Sequence, residues 1–233
     1  MNGKTNRVFM RVHANGINIY YETAGKGQPV LLLHGNGEDH TIFDLLTEGL
    51  KTDHEVFALD TRGHGESEKI GSFHYSDMAE DVASFIKELK IKKPVVYGFS
   101  DGGIIGLMLA SRYPDMLSGV VASGPNLTPK ALKLSARLPM RIANVFKRDP
   151  LVEMMIKEPN MTDADLSKIK VPVLITVAEK DVIPISHAEH IADKIPNGSL
   201  IVVPYENHYS YIIHSDWLFP LISDFINEII QSQ

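Results

Sequence analysis

The sequence predicts an α/β protein: a mostly parallel twisted sheet with an N-terminal antiparallel hairpin, helices on both faces and a small helical lid insertion. Three observations predict it. Short apolar runs rich in β-branched residues alternate with amphipathic stretches of helical period through most of the chain. Near the start, Asn15-Gly16 separates two strand-like runs, and this dipeptide favours a tight hairpin because both turn positions need φ > 0. Polar, glycine-rich stretches then fall just after the apolar runs. These are the carboxyl ends of the expected strands, where sheets of this kind hold a ligand crevice.

Taken in order, residues 7–14 and 17–23 are the hairpin strands, followed by a turn at 24–27. Residues 29–33 form a buried strand ending in His34-Gly35-Asn36-Gly37. Residues 41–51 read as a helix with Ile42, Phe43, Leu45, Leu46 and Leu50 as its apolar side. A strand at 55–59 ends in the polar loop from Asp60 to Ser67. An amphipathic helix at 76–90 has Ser76 as its N-cap. The run 94–99 is a buried strand that enters Gly98-Phe99-Ser100-Asp101-Gly102, and residues 104–113 read as a mostly apolar helix. A strand at 117–123 closes on Gly124-Pro125. Further on come a strand at 171–178, a helix at 185–195, a strand at 199–203 and a closing helix at 215–230.

Residues 126–170 break this rhythm. They read as short helices at 129–138, 140–147, 151–157 and 164–169, with Pro139 starting a new helix rather than kinking one. Inserted between a strand and the next crossover, the segment is expected to sit over the strand ends as a lid, or else to be a packing subdomain without substrate contact.

A length of 233 residues suits one domain spanning 1–233, the lid at 126–170 included. Apolar residues are 44 % and charged residues 22 %, as in an ordinary globular chain. The net charge of −6 offers no overall basic field to nucleic acid or to an anionic membrane. The absence of cysteine excludes disulfides, thiolate metal sites and a cysteine nucleophile. Residues 1–11 lack the apolar stretch of a secretory leader, and no run of about 18 apolar residues reads as a membrane span. The expectation is a cytoplasmic protein without nucleic-acid or membrane partners.

The chemistry centres on Gly98-x-Ser100-x-Gly102. Between a strand and a helix this pattern reads as a nucleophile elbow, with the two glycines easing a strained turn and the serine at its tip. A serine hydroxyl needs a base to take its proton, and the base needs a third group to hold its tautomer. Glu179-Lys180-Asp181 follows one strand and Glu206-Asn207-His208 follows the last, so serine, acid and histidine come in that order, each just past a strand.

With these residues in view, the chain resembles the α/β-hydrolase superfamily, of the compact kind related to small esterases, peroxidase-like hydrolases and C–C bond hydrolases. The likeness covers nearly the whole chain. It rests on His34-Gly35, Asp60-x-Arg62-Gly63-x-Gly65-x-Ser67, Gly98-x-Ser100-x-Gly102-Gly103, Glu179-x-Asp181 with Pro184, and Asn207-His208. The resemblance implies Ser100 as nucleophile, His208 as general base and then acid, and Asp181 as the group orienting His208. It places the oxyanion donors at the backbone N–H groups of Asn36 and Asp101, and it needs neither metal nor organic cofactor. Glu179 is the nearest rival to Asp181, which the Glu-x-Asp-x-x-Pro spacing favours. Asn207 stands where relatives often carry Gly, and Asn tolerates left-handed backbone.

Other residues carry weaker signals. His34 is expected to order the oxyanion loop, while Asp60, Arg62 and His64 read as structural. His214 reads as a helix-start residue. His187 and His190 lie three apart on a helix but lack a third ligand pattern, so they read as a solvated face. Leu134, Leu138 and Phe146 suggest a partly hydrophobic acyl pocket in the lid, unless they merely pack it. Six basic residues (Lys130, Lys133, Arg137, Arg141, Lys147 and Arg148) occur between Thr128 and Arg148 with no acid among them, leaving 17 basic and 29 acidic residues elsewhere. They are a solvated face or a patch that attracts an anionic substrate. The expected activity is hydrolysis of a small carboxylic ester through an acyl-enzyme. C–C bond cleavage of a small anionic substrate and a ligand sensor of hydrolase fold are the alternatives.

Overall fold

In the computed structural model, which describes residues 7–231, the apolar runs assemble into one eight-stranded sheet. Residues 1–6, where the stretch read as lacking a leader begins, lie outside the described residues. Strands β1 (Val8–Ala14) and β2 (Ile17–Gly25) make the hairpin, with Asn15 at φ 48° and Gly16 at φ 79° in its turn. Then follow β3 (Gln28–Leu33), β4 (His54–Leu59), β5 (Val95–Phe99), β6 (Gly119–Ser123), β7 (Val173–Lys180) and β8 (Gly198–Asn207). The spatial order is β1-β2-β4-β3-β5-β6-β7-β8. The β2–β4 pair is antiparallel and all pairs beyond it are parallel. From β3 the chain steps outward to β4 and then back across to β5, so the winding reverses beside β3. A crevice opens at such a reversal, at the carboxyl ends of the strands.

The helices are α1 (Asp44–Leu50), α2 (Tyr75–Glu88), α3 (Asp101–Arg112), α4 (Leu134–Lys147), α5 (Pro150–Lys157), α6 (Asp163–Leu166), α7 (Ile185–Lys194) and α8 (Phe219–Gln231). Successive strand residues point to opposite faces, so each central strand feeds two cores. Leu31, Leu33 and Val96 pack with Val82 and Phe85 of α2, Ile104 and Leu107 of α3 and Ile191 of α7. Val30, Leu32, Val95 and Tyr97 pack instead with Leu46 and Leu50 of α1 and Ile222 and Ile226 of α8. Each fully buried Leu, Ile or Val contributes roughly 1.5–3 kcal/mol.

The structure corrects four local readings. Helix α2 starts one residue early, at Tyr75, and its N-cap His74 makes no side-chain cap. Glu158, 83 residues downstream, supplies the cap: its carboxylate accepts from Tyr75 N at 3.2 Å and lies 2.6 Å from His74 Nδ1. Residues 129–147 form a short 3-10 turn (Pro129–Ala131) and one helix, α4, with Pro139 inside it. Pro139 is exposed, as is Ser135, whose carbonyl the missing amide would have met, so water can serve it. Residues 40–50 divide into a 3-10 turn (His40–Phe43) and α1. Finally, α8 begins at Phe219, so His214 starts no helix. It sits in a turn at φ 49°, donating its amide to Ile42 O, with Nδ1 3.0 Å from Asp44 Oδ1.

Among the described residues, no helix is long and apolar enough to cross a membrane.

Candidate active site

The turn between β5 and α3 has no room for side chains at its glycines. A Cβ on Gly98 would lie 2.1 Å from Gly102 O, and one on Gly102 would lie 2.0 Å from Leu33 O. Ser100 between them has φ 51° and ψ −111°. Such a conformation costs a non-glycine residue on the order of 1–3 kcal/mol. Two bonds hold it: Ser100 N donates to Ser123 O at 2.8 Å, and Ile104 N donates to Ser100 O at 3.1 Å. Sheet and helix thus together force the hydroxyl out at the strand end.

Two distant loops bring their side chains to the same place. Ser100 Oγ lies 3.2 Å from His208 Nε2, and His208 Nδ1 lies 2.7 Å from Asp181 Oδ1. The Asp181 carboxylate also accepts from the amides of Ile183 at 2.9 Å and Ala178 at 3.2 Å. Asp181 and His208 are buried, and Ser100 is half-buried. The imidazole packs on Phe99, with ring centroids 4.9 Å apart, and against Gly124, where a Cβ would come within 2.7 Å of Cε1. Glu179 is exposed and accepts from Tyr205 N at 2.7 Å; the carboxylate bonded to His208 is that of Asp181. Asn207 does not adopt the left-handed backbone that its sequence position suggested. Its Oδ1 instead accepts from the amides of Tyr209 and Ser210, which shapes the turn carrying His208, and the positive φ falls on Tyr205.

Asn36 and Asp101 face each other across the site. The Asp101 amide heads α3, where no intrahelical acceptor exists. Its carboxylate is buried, which pushes its pKa up, and accepts from Tyr75 Oη at 2.7 Å and Asn36 Nδ2 at 3.2 Å. One side chain therefore ties the loop after β3 to the head of α3. His34 is also buried, and burial lowers its pKa to about 4. Neutral, it bridges neighbouring loops, with Nδ1 2.7 Å from Gly35 O and Nε2 accepting from Thr61 N at 3.0 Å. Asp60 accepts from the amides of His40 and Glu66, Arg62 pairs with Asp81, and His64 Nδ1 lies 3.1 Å from Arg62 O.

The sequence reading missed Glu38. Its Oε2 accepts from Gly35 N at 3.0 Å, and burial pushes its pKa up to about 7. The available signal was its position three residues after Gly35, in a loop already singled out. Tyr75 was missed because only the tertiary fold brings it to Asp101.

The suggested acyl-pocket residues do not line an enclosed pocket. Leu134, Leu138 and Phe146 are 62 %, 50 % and 81 % exposed on the outer side of α4. His187 and His190 serve different partners: His187 Nε2 accepts from Leu127 N, and His190 Nε2 lies 2.8 Å from Asp163 Oδ1. Asp39, His40 and Asp60 bring three possible metal-ligand atoms within 4.8 Å, but Asp60 is already committed to the His40 ring and two amides. A cavity of about 800 Å³, lined by Ile86, Lys87, Tyr113 and Met116, lies at the opposite, amino-terminal ends of the strands and shares no residue with this site.

Residues 28–149, which contain the elbow, match the model of the alpha/beta hydrolase fold family. The chain belongs to that family. Among curated proteins it is similar to the serine hydrolase BPHL of Homo sapiens, at 28 % identity over 93 % of this chain and 85 % of that one. It is also similar to a pimeloyl-[acyl-carrier protein] methyl ester esterase of Aliivibrio fischeri, at 23 % identity over 90 % of this chain and 98 % of the relative. Of solved structures, a thermophilic esterase from Thermogutta terrifontis superposes with a TM-score of 0.80 at 24 % identity, covering 95 % of this chain and 99 % of that chain. A meta-cleavage product hydrolase from Pseudomonas fluorescens IP01 does so at 0.79 and 20 %, covering 97 % and 99 %.

Proposed function

We propose that this α/β hydrolase is a serine hydrolase that cleaves a small carboxylic ester through an acyl-enzyme on Ser100. The observation that carries the reading is the continuous run of contacts from Ser100 Oγ through His208 to Asp181 at the tip of a strained turn. Asp181 accepts from Nδ1–H and so leaves Nε2 free to accept the serine proton. As Oγ bonds to the ester carbonyl carbon, its proton passes to Nε2 and the carbonyl π electrons move onto oxygen. The amides of Asn36 and Asp101 stabilise that oxyanion. Its collapse breaks the C–O bond to the alcohol, which leaves with the proton from Nε2. Water then repeats the sequence on the acyl-enzyme, releasing the acid and restoring Ser100. The esterases among its relatives support the choice of bond.

The test is a chromogenic ester series of varied chain length and charge, run beside a fluorophosphonate label. Ser100→Ala is expected to abolish labelling and to lower kcat/KM by about 10³-fold or more, with the thermal melt intact. Undiminished turnover in that variant would overturn the assignment. The alternative reading, C–C cleavage of a small anionic substrate, places a diketone-like acid on the same panel. Preference for it over every ester would replace ester cleavage with C–C cleavage.

A further inference from the structure

Helix α4 carries an apolar stripe that none of the described residues covers. At 100° per residue, Leu134, Val145, Leu138, Ile142 and Phe146 fall within an arc of about 120°, and they are 50–81 % exposed. The helix is anchored by its other side. Asn144 is buried there, donating to Glu153 Oε2 at 2.9 Å and accepting from Asp149 N at 2.8 Å. Along one edge of the stripe run Arg141 and then Arg137, with Lys130 before the helix and Arg148 at its end, and no acid between Thr128 and Arg148. Lys133, the residue before the helix, donates instead to Asp181 O at 2.6 Å. Lys130, Arg137 and Arg141, with Lys157 of α5, line a cavity of about 430 Å³ together with Thr128 and Asn160, and no carboxylate lines it. Lys157 also pairs with Glu153.

We infer that α4 docks this protein on an anionic phospholipid surface, with the apolar stripe in the acyl boundary and the cationic cavity on headgroup phosphates. Three arguments favour lipid over a second copy of the chain. A 14-residue helix is about 21 Å long, and a stripe about 10 Å wide on it covers on the order of 200 Å², well under the roughly 800 Å² per partner of a stable protein interface. Pairing two copies stripe to stripe would set one row of cations against another. An apolar stripe bordered by Lys and Arg is also the pattern of helices that lie in a bilayer interface. The overall charge of −6 conceals this, because the 17 basic and 29 acidic residues outside 128–148 offset that cationic stretch. That separation also aims the stretch 128–148, rather than the acidic remainder of the chain, at the lipid.

Vesicle co-sedimentation tests the inference without reference to turnover at Ser100. The protein is expected to pellet with phosphatidylcholine vesicles containing about one-third phosphatidylglycerol, and at least tenfold less with phosphatidylcholine alone. Each Lys or Arg at an anionic surface strengthens partitioning by about fivefold, so Arg137→Gln with Arg141→Gln should weaken it at least tenfold, and 0.5 M salt similarly. Val145→Glu with Phe146→Glu should abolish it. The cysteine-free chain allows a second measurement that leaves the charges of 128–148 unchanged. An environment-sensitive dye on Val145→Cys should shift to the blue on anionic vesicles, and the same dye on Glu88→Cys should not. Absence of pelleting, insensitivity to phosphatidylglycerol, or an unshifted dye at position 145 overturns the inference. So does self-association, seen by light scattering, that Val145→Glu with Phe146→Glu removes while vesicles remain unbound.

Discussion

Asp181 and Glu179 are two positions apart and alike in charge, yet the fold treats them differently. β7 runs through Lys180, and Asp181 lies just past its end, where its carboxylate takes two amides and the His208 ring. Glu179 reaches only Tyr205 N at the surface. Asp181→Asn is therefore expected to lower kcat by about 10³–10⁴-fold, since the amide selects the wrong imidazole tautomer, and Glu179→Gln by about twofold or less. Steady-state kinetics of the pair checks this. Sequence spacing favoured Asp181 over Glu179; the contact with His208 is a product of two loops 27 residues apart. The position of Glu38 in the loop after β3 was legible, but its burial was not, because that depends on neighbours the loop meets only in the fold. Its folded pKa of about 7 exceeds the ordinary value of 4.5. The folded state thus holds the proton more tightly, and this favourable contribution is complete below about pH 4.5 and lost as pH rises through 7. Glu38→Gln, neutral throughout, should melt about 2–4 °C above the parent at pH 8.5, a figure already reduced for its partial exposure to solvent. The difference should vanish at pH 4.5. Scanning fluorimetry at both values decides it.

At the scale of elements, central strands were read well and helix starts poorly, for one physical reason, while β8, read as 199–203, runs on to Asn207. A central strand buried on both faces announces itself as a continuous apolar run, as in 94–99 and 171–178. A helix start depends on what satisfies its first amides, and that partner is often remote. Glu158 caps α2 from the end of α5, and the turn at His214 is tied to Asp44 and Ile42. Pro139 misled because the penalty for proline in a helix depends on whether its unmatched carbonyl is buried or wet. The elbow, by contrast, is written in its glycines. Gly102→Ala would press a methyl carbon to 2.0 Å from the Leu33 carbonyl oxygen, which is backbone and cannot rotate away. We expect a loss of about 1–3 kcal/mol in urea unfolding, accompanied by weaker fluorophosphonate labelling, as α3 is pushed off the strand that sets Ser100.

Over the whole molecule, one buried ion pair joins parts distant in sequence. Arg62, in the loop after β4, pairs with Asp81 on α2, and Asp81 also accepts from Asn15 Nδ2 at 2.8 Å in the hairpin turn. Asp81→Ala leaves the buried guanidinium with only Asp77, 3.6 Å away, and should cost about 3 kcal/mol, much of it regained by adding Arg62→Met. Chemical denaturation of the two variants measures both terms. The same long-range construction governs the site. Residues 100, 181 and 208 meet only when β5, β7 and β8 have paired in order. A partly refolded sample lacking its last strand would hold the serine without its imidazole. A phosphonate-tagged serine, counted by mass spectrometry during refolding, should then tally finished molecules alone, and its rise should trail the far-ultraviolet signal.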